Sequence, residues 1–131
     1  MDRDDLELPL GTGELADRLM TAITGGHTDD LERCFAPGAV IWHNDDGAEV
    51  PVAHVVRTLS WLHRHVAGLR YDISRRAPLP DGYLQQHVLR GTTESGAELA
   101  LAACLVVTTA DGLITRIDEY FDSAATAVLR P

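Results

Sequence analysis

Polar and apolar residues alternate most cleanly near the end of the chain, from Leu113 to Phe121. Leu113, Thr115, Ile117, Glu119 and Phe121 share one face of an extended segment, and Ile114, Arg116, Asp118, Tyr120 and Asp122 share the other. The first face is the more apolar and is expected to point inward, yet it carries a carboxylate. Burying a carboxylate without a partner costs several kcal/mol or drives its pKa upward. Glu119 is therefore read as a pocket residue, with Ile117 beside it as apolar wall.

The same patterning orders the rest of the chain. The first eleven residues look like a loose tail, and residues 12–131 form one domain. Thr12 is placed to cap a helix with Leu15, Leu19, Ala22 and Ile23 on one side, stopped by Gly25 and Gly26. Thr28-Asp29-Asp30 opens a short second helix, and Ala36-Pro37-Gly38 turns the chain into a strand from Ala39 to Asn44. Pro51 suits the first turn of a longer helix, with Val52, Val55, Val56, Leu59, Leu62 and Val66 on one side and Gly68 at its end. His63 falls on that apolar side, from which it could reach an interior cavity; His54, Trp61 and His65 fall opposite. Four strands follow, over about 69–77, 83–93, 97–109 and 113–122, the last two connections being short hairpins. Leu99 to Val107 is apolar on both faces, as in a strand covered by helices on one side and a partner subunit on the other. The fold class this predicts is α+β: a cone-shaped, strongly curved antiparallel sheet wrapped around three helices, with an internal cavity.

Composition narrows the function. Twenty acidic residues against eleven Lys and Arg give a net charge of −9, which argues against nucleic acid or an anionic membrane as partner. No apolar run is long enough to span a membrane and the acidic start lacks the features of a signal peptide, so the expected location is the cytoplasm. Cys34 and Cys104 form no CxxC pair and are expected as reduced core thiols. No Cys/His cluster has ligand spacing, and His63 and His65 point apart on a helix, so no metal is expected. The absence of a P-loop, GxGxxG or GxSxG leaves no cofactor implied.

The order of elements, with FAPGAVIWHN early and ITRIDEYFD late, resembles the nuclear transport factor 2-like superfamily and, within it, the SnoaL-like small proteins, from about Leu15 to Asp122. That superfamily includes ketosteroid isomerases, polyketide cyclases, limonene-epoxide hydrolases, dehydratases and members without a catalytic role, so fold alone does not assign function. The epoxide hydrolases carry a Tyr-x-Asn on the first strand, an Arg-x-Asp on a middle strand and an Asp before a Tyr-Phe-Asp on the last. Trp42-His43-Asn44 resembles the first element, and Glu119 stands where the last Asp would. The middle element would fall at Gln85-Gln86-His87, which has neither the Arg nor the Asp. The isomerases place a base Asp near the position of Asn44, and an amide cannot act as a base.

The residues also make a case of their own. On the strand 83–93, Tyr83, Gln85, His87, Leu89 and Gly91 alternate with Leu84, Gln86, Val88, Arg90 and Thr92. Neither face is purely apolar, so the pattern leaves the inward set open. With the odd set inward, Gln85 and His87 enter the cavity beside Glu119, and Val40, Trp42 and Asn44 share a strand face that completes the polar patch. In that arrangement Glu119 is the general base, His87 donates or relays the proton, and Asn44 and Gln85 orient a water or carbonyl oxygen. Trp42 supplies a flat apolar wall, and His43 is assigned to the surface or an interface. The expected function is binding of a small, mostly apolar organic molecule, with cofactor-independent acid–base chemistry of isomerase, cyclase, dehydratase or hydrolase type. A homodimer formed through the sheet is expected, and the alternative function is a non-catalytic ligand-binding or dimerisation module.

Overall fold

A computed structural model describes residues 8–130. Helix α1 (Leu10–Gly25) and the short α2 (Thr28–Arg33) lead into strand β1 (Phe35–His43), a three-residue strand β2 (Glu49–Pro51) and helix α3 (Val52–His65). Strands β3 (Val66–Leu79), β4 (Gly82–Thr93), β5 (Glu98–Ala110) and β6 (Leu113–Phe121) follow, and a 3-10 segment spans Ser123–Leu129. The strands form one curved, unclosed sheet in the order β2-β1-β6-β5-β4-β3. The α+β cone expected from the pattern is present. The sheet is mixed, because β1 runs parallel to β6 while every other pair is antiparallel. A parallel pair needs a long crossover, and the whole chain from β2 to β5 supplies it.

Several local expectations shift. Residues 1–7 of the anticipated tail lie outside the described residues, and α1 already begins at Leu10, after Pro9, with no side-chain cap from Thr12. Its last turn closes on Gly26 in the left-handed region, φ 69°. Helix α3 ends at His65, and Gly68 lies inside β3 at φ 64°, where the register with β4 slips between Ala67 and Arg70. Glycine there makes a bulge rather than a helix stop. Cys34 is buried, whereas Cys104 is only partly so; both are free thiols.

Bulges decide which side chains reach the interior. In β6, Arg116 pairs with Thr108 and Ile114 with Thr109, which leaves Thr115 as the extra residue. The face therefore switches: Ile114 is fully buried before the bulge and Ile117 after it, instead of Leu113 and Thr115. In β3 the register slips between Ile73 and Arg75, and this turns Arg76 inward where strict alternation would have kept it out. A bulge adds one residue, and one residue reverses every facing beyond it. In β4 the alternation is unbroken, and Tyr83, Gln85, His87 and Leu89 are all buried.

Helices α1 and α2 close one end of the concave face with Leu15, Leu19, Ile23 and Leu31, packed on Phe35, Ile41, Val107 and Ile114. Helix α3 buries only Leu62 completely. Its remaining apolar residues are half-exposed because they wall an open space rather than a filled core.

Candidate functional site

The concave face encloses a cavity of about 390 Å³, so the cone is not filled by its own side chains. Leu19, Ile23, Leu89, Leu105 and Ile117 form part of its apolar wall, and Val55, Leu59 and Leu62 of α3 close the side. Asp45, Asp46, His54, Thr58 and Trp61 also line it. Three groups in this lining, His43, His87 and Glu119, come from three different strands and carry the potential chemistry.

Glu119 projects into the cavity with 26% of its side chain exposed. Its partner is His43, the residue beside it across the parallel β1–β6 pair, whose Nε2 lies 3.1 Å from Glu119 Oε1. The hydrogen bond to Glu119 holds the His43 imidazole above its ordinary pKa. The negative charges of Glu119, Asp45 and Asp46 add to that effect against the opposing pull of burial. His43 Nε2–H is thus the donor and the carboxylate the acceptor.

His87 is the opposite case. It is 5% exposed, and burial pushes its pKa down to about 4, with nearby Arg76 lowering it further while Glu119 opposes. Its Nδ1 lies 2.8 Å from Gln85 Nε2, and its ring meets Tyr71 edge-on at a centroid distance of 4.7 Å. Gln85, fully buried, also donates to Met20 Sδ at 3.2 Å and accepts from Arg76 Nε at 2.9 Å. Arg76 in turn donates from Nη1 to Asp17 Oδ1 of α1 at 2.6 Å. Burial raises the phenol of Tyr71 above its ordinary pKa, so it faces the cavity as a neutral hydroxyl.

Glu119 and His87 share the cavity without bonding to each other. Leu105 pairs with both Glu119 and Gln85, and His87 lies two residues beyond Gln85. That offset separates the two backbones by roughly 12 Å. Both side chains project from the one sheet into the same cavity, and the Glu119 charge acts on the His87 ring.

The remaining residues singled out in the sequence fall as follows. Ile117 lines the cavity, and Gln85 sits behind its wall, bonded to His87. Trp42 and Asn44 do not point inward. β1 turns Ala39, Ile41 and His43 toward the interior, so Trp42 packs edge-on against Tyr120 on the outer face, ring centroids 5.1 Å apart. The Asn44 amide clamps the end of β1 to β6: Oδ1 accepts from Phe121 N at 3.1 Å and Nδ2 donates to Phe121 O at 3.4 Å. His63 is exposed on α3, its ring lying over the backbone of Gly26 rather than in the cavity. His43, Tyr71 and Arg76 are the functional side chains the sequence reading missed. Only His43 had a local signal, since it lies two residues from the apolar Ile41 on the same strand face.

With this geometry in place, the profile of the SnoaL-like domain matches residues 16–117, most of the chain. The chain belongs to the SnoaL-like domain family. This places it in the nuclear transport factor 2-like superfamily. No curated protein sequence matches this SnoaL-like chain. Among solved structures it is similar to a SnoaL-like polyketide cyclase, so described, from Jannaschia sp. CCS1, at 19% identity, covering 100% of this chain and 99% of that one, with a TM-score of 0.76. It is also similar to an LEH-like epoxide hydrolase from M. tuberculosis, at 16% identity, covering 88% and 86% of the two chains, TM-score 0.72. A protein of ketosteroid isomerase-like fold from Catenulispora acidiphila, in complex with trimethylamine, matches at 15% identity over 88% and 90%, TM-score 0.75. These likenesses establish the fold. Among the described residues of this SnoaL-like protein no three His, Cys, Asp or Glu side chains are grouped to hold a metal, and no helix is long and apolar enough to cross a membrane.

Proposed function

We propose that the cavity binds a small, mostly apolar organic molecule and that Glu119 serves it as a general base without a cofactor. The observation that carries this reading is the Glu119 carboxylate, hydrogen-bonded to His43, projecting into a largely apolar cavity of about 390 Å³. The His43 hydrogen bond fixes the Glu119 carboxylate in the cavity, where it is placed to take a proton from a carbon acid or a water. Glu119, once protonated, can return that proton to another atom of the bound molecule, held in place by its hydrogen bond with His43. His87 and the Tyr71 hydroxyl line the same cavity as neutral hydrogen-bonding groups for an oxygen on which charge develops. Chemistry of this kind covers isomerisation, cyclisation, dehydration and water addition, the range suggested by relatives described as a polyketide cyclase and an epoxide hydrolase.

The reading includes a homodimer through the outer face of the sheet, where Trp42 packs on Tyr120 and Tyr120 is 49% exposed. Light scattering of the wild type and of Tyr120→Lys tests it: a dimer that the substitution converts to monomer is expected, and a monomeric wild type refutes it.

For the cavity, saturation-transfer NMR with small apolar ketones and epoxides reads binding, and deuterium uptake or product formation reads turnover. Glu119→Gln is expected to keep binding and lose turnover. Turnover surviving in Glu119→Gln overturns the assignment of the base. If probes bind no differently when Leu105→Trp fills the cavity, the cavity is not the site.

A further inference from the structure

The buried side chains behind His87 have a fixed polarity. The bulge at Ser74 in β3 turns Arg76 inward, directly opposite Gln85 on β4. A guanidinium has only donors, so the end of the Gln85 amide that meets Arg76 Nε at 2.9 Å is its oxygen. The amide nitrogen then faces Met20 Sδ at 3.2 Å and His87 Nδ1 at 2.8 Å. An amide nitrogen only donates, so Nδ1 of His87 must accept, and the ring proton resides on Nε2. The Arg76 end is anchored in turn by Asp17, at 2.6 Å on α1.

We propose that Arg76 and Gln85 are positioning residues that lock His87 as its Nε2–H tautomer, making it a standing hydrogen-bond donor in the cavity. Burial keeps the ring neutral down to about pH 4, so the donor does not become a cation in the working range. The other ionisable groups facing it are Glu119 from β6, Tyr71 and Arg76 from β3, and Asp17 through Arg76. Among the described residues nothing bonds Nε2, and His87 lines the cavity. The ligand class follows: an apolar molecule with an acceptor oxygen, such as a carbonyl, ether or epoxide, set opposite His87. A ligand presenting an ammonium there would place donor against donor. This ligand class rests on the cavity being a binding site; the tautomer does not.

Long-range 15N–1H NMR of the full chain reads the tautomer directly at pH 7. The wild type is expected to show a pyridine-like Nδ1 and a pyrrole-like Nε2–H at His87. Gln85→Glu is nearly isosteric and still accepts from Arg76, but it has no proton to donate. It is expected to move the His87 proton to Nδ1 and raise the ring pKa above the ordinary 6.5. A residue that only fills space would leave the tautomer unchanged. Nδ1–H in the wild type, or an unchanged tautomer in folded Gln85→Glu, overturns the proposal, and the wild-type spectrum decides even if the variant does not fold. Cyclohexanone, titrated into the same sample, is expected to shift the His87 Nε2 signal. Failure of cyclohexanone to do so, with Nε2–H intact, counts against the ligand class and the cavity reading while leaving the relay standing.

Discussion

His43 and His87 line one cavity and are driven in opposite directions. His43 sits near the acidic residues Asp45 and Asp46, half-buried, with a carboxylate on its Nε2; that contact outweighs desolvation and raises its pKa. His87 lies deep, with an amide rather than a carboxylate on Nδ1; desolvation wins and the pKa falls to about 4. The same side chain becomes a proton-holding partner in one place and a neutral donor in the other. Local partners, not residue type, assign the role. With Glu119 as the proposed base, the carboxylate on β6 and the neutral His87 ring on β4 line one cavity, the pairing that proton transfer next to a developing oxyanion would use.

The largest expected break in this comparison comes from Glu119→Gln. Turnover should fall on the order of 10²–10⁴-fold, the usual contribution of one general-base step. His43 should lose its raised pKa while His87 changes little, since Glu119 is only a secondary influence there. Steady-state rates with an identified substrate and imidazole titration check both halves.

The second effect is on stability against pH. Between about pH 4 and 6.5 the unfolded chain binds a proton at His87 that the folded chain refuses, so stability rises with pH across this window. The stability lost on going down to pH 4 is about 3 kcal/mol. His43 has the reverse sign: its contribution is fully present below 6.5 and is lost as pH rises through its raised folded pKa. Urea unfolding of wild type, His87→Leu and His43→Gln should show the acid-side slope flattened in the first variant and the alkaline-side loss removed in the second.

How much of this was legible beforehand differs between the strands. β4 has unbroken alternation, so once one residue faces inward all of Tyr83, Gln85, His87 and Leu89 do. Glu119 was legible because Ile117 and Phe121 flank it at the strand period. The first strand was not, since Ala39 and Ile41 are apolar on one face and Val40 and Trp42 on the other. The outer face is apolar as well, where Trp42 meets Tyr120, and two apolar faces leave no period to read. Arg76 was hidden for a different reason. A bulge at Ser74 reverses its facing, and no residue pattern around it announces the inserted residue. Its partner Asp17 lies 59 positions away, and no local pattern relates the two.

Two smaller effects sharpen the contrast between the deep cluster and the cavity rim. Asp17→Asn weakens the anchor on a buried guanidinium; because Asp17 itself is largely exposed, a loss of about 1 kcal/mol in denaturant unfolding is expected. Asn44→Ala removes two bonds to the Phe121 backbone at an exposed strand end, and about 0.5–1 kcal/mol is expected. That substitution should also loosen the His43–Glu119 pair, read as a drop in the His43 pKa.

The most direct test of the account is a pH titration of the two imidazoles in the wild-type protein, followed by 15N–1H NMR. The account predicts that His43 titrates above 6.5 and His87 near 4, with the His43 value falling back in Glu119→Gln. Two histidines that both titrate near 6.5, indifferent to Glu119, would contradict it.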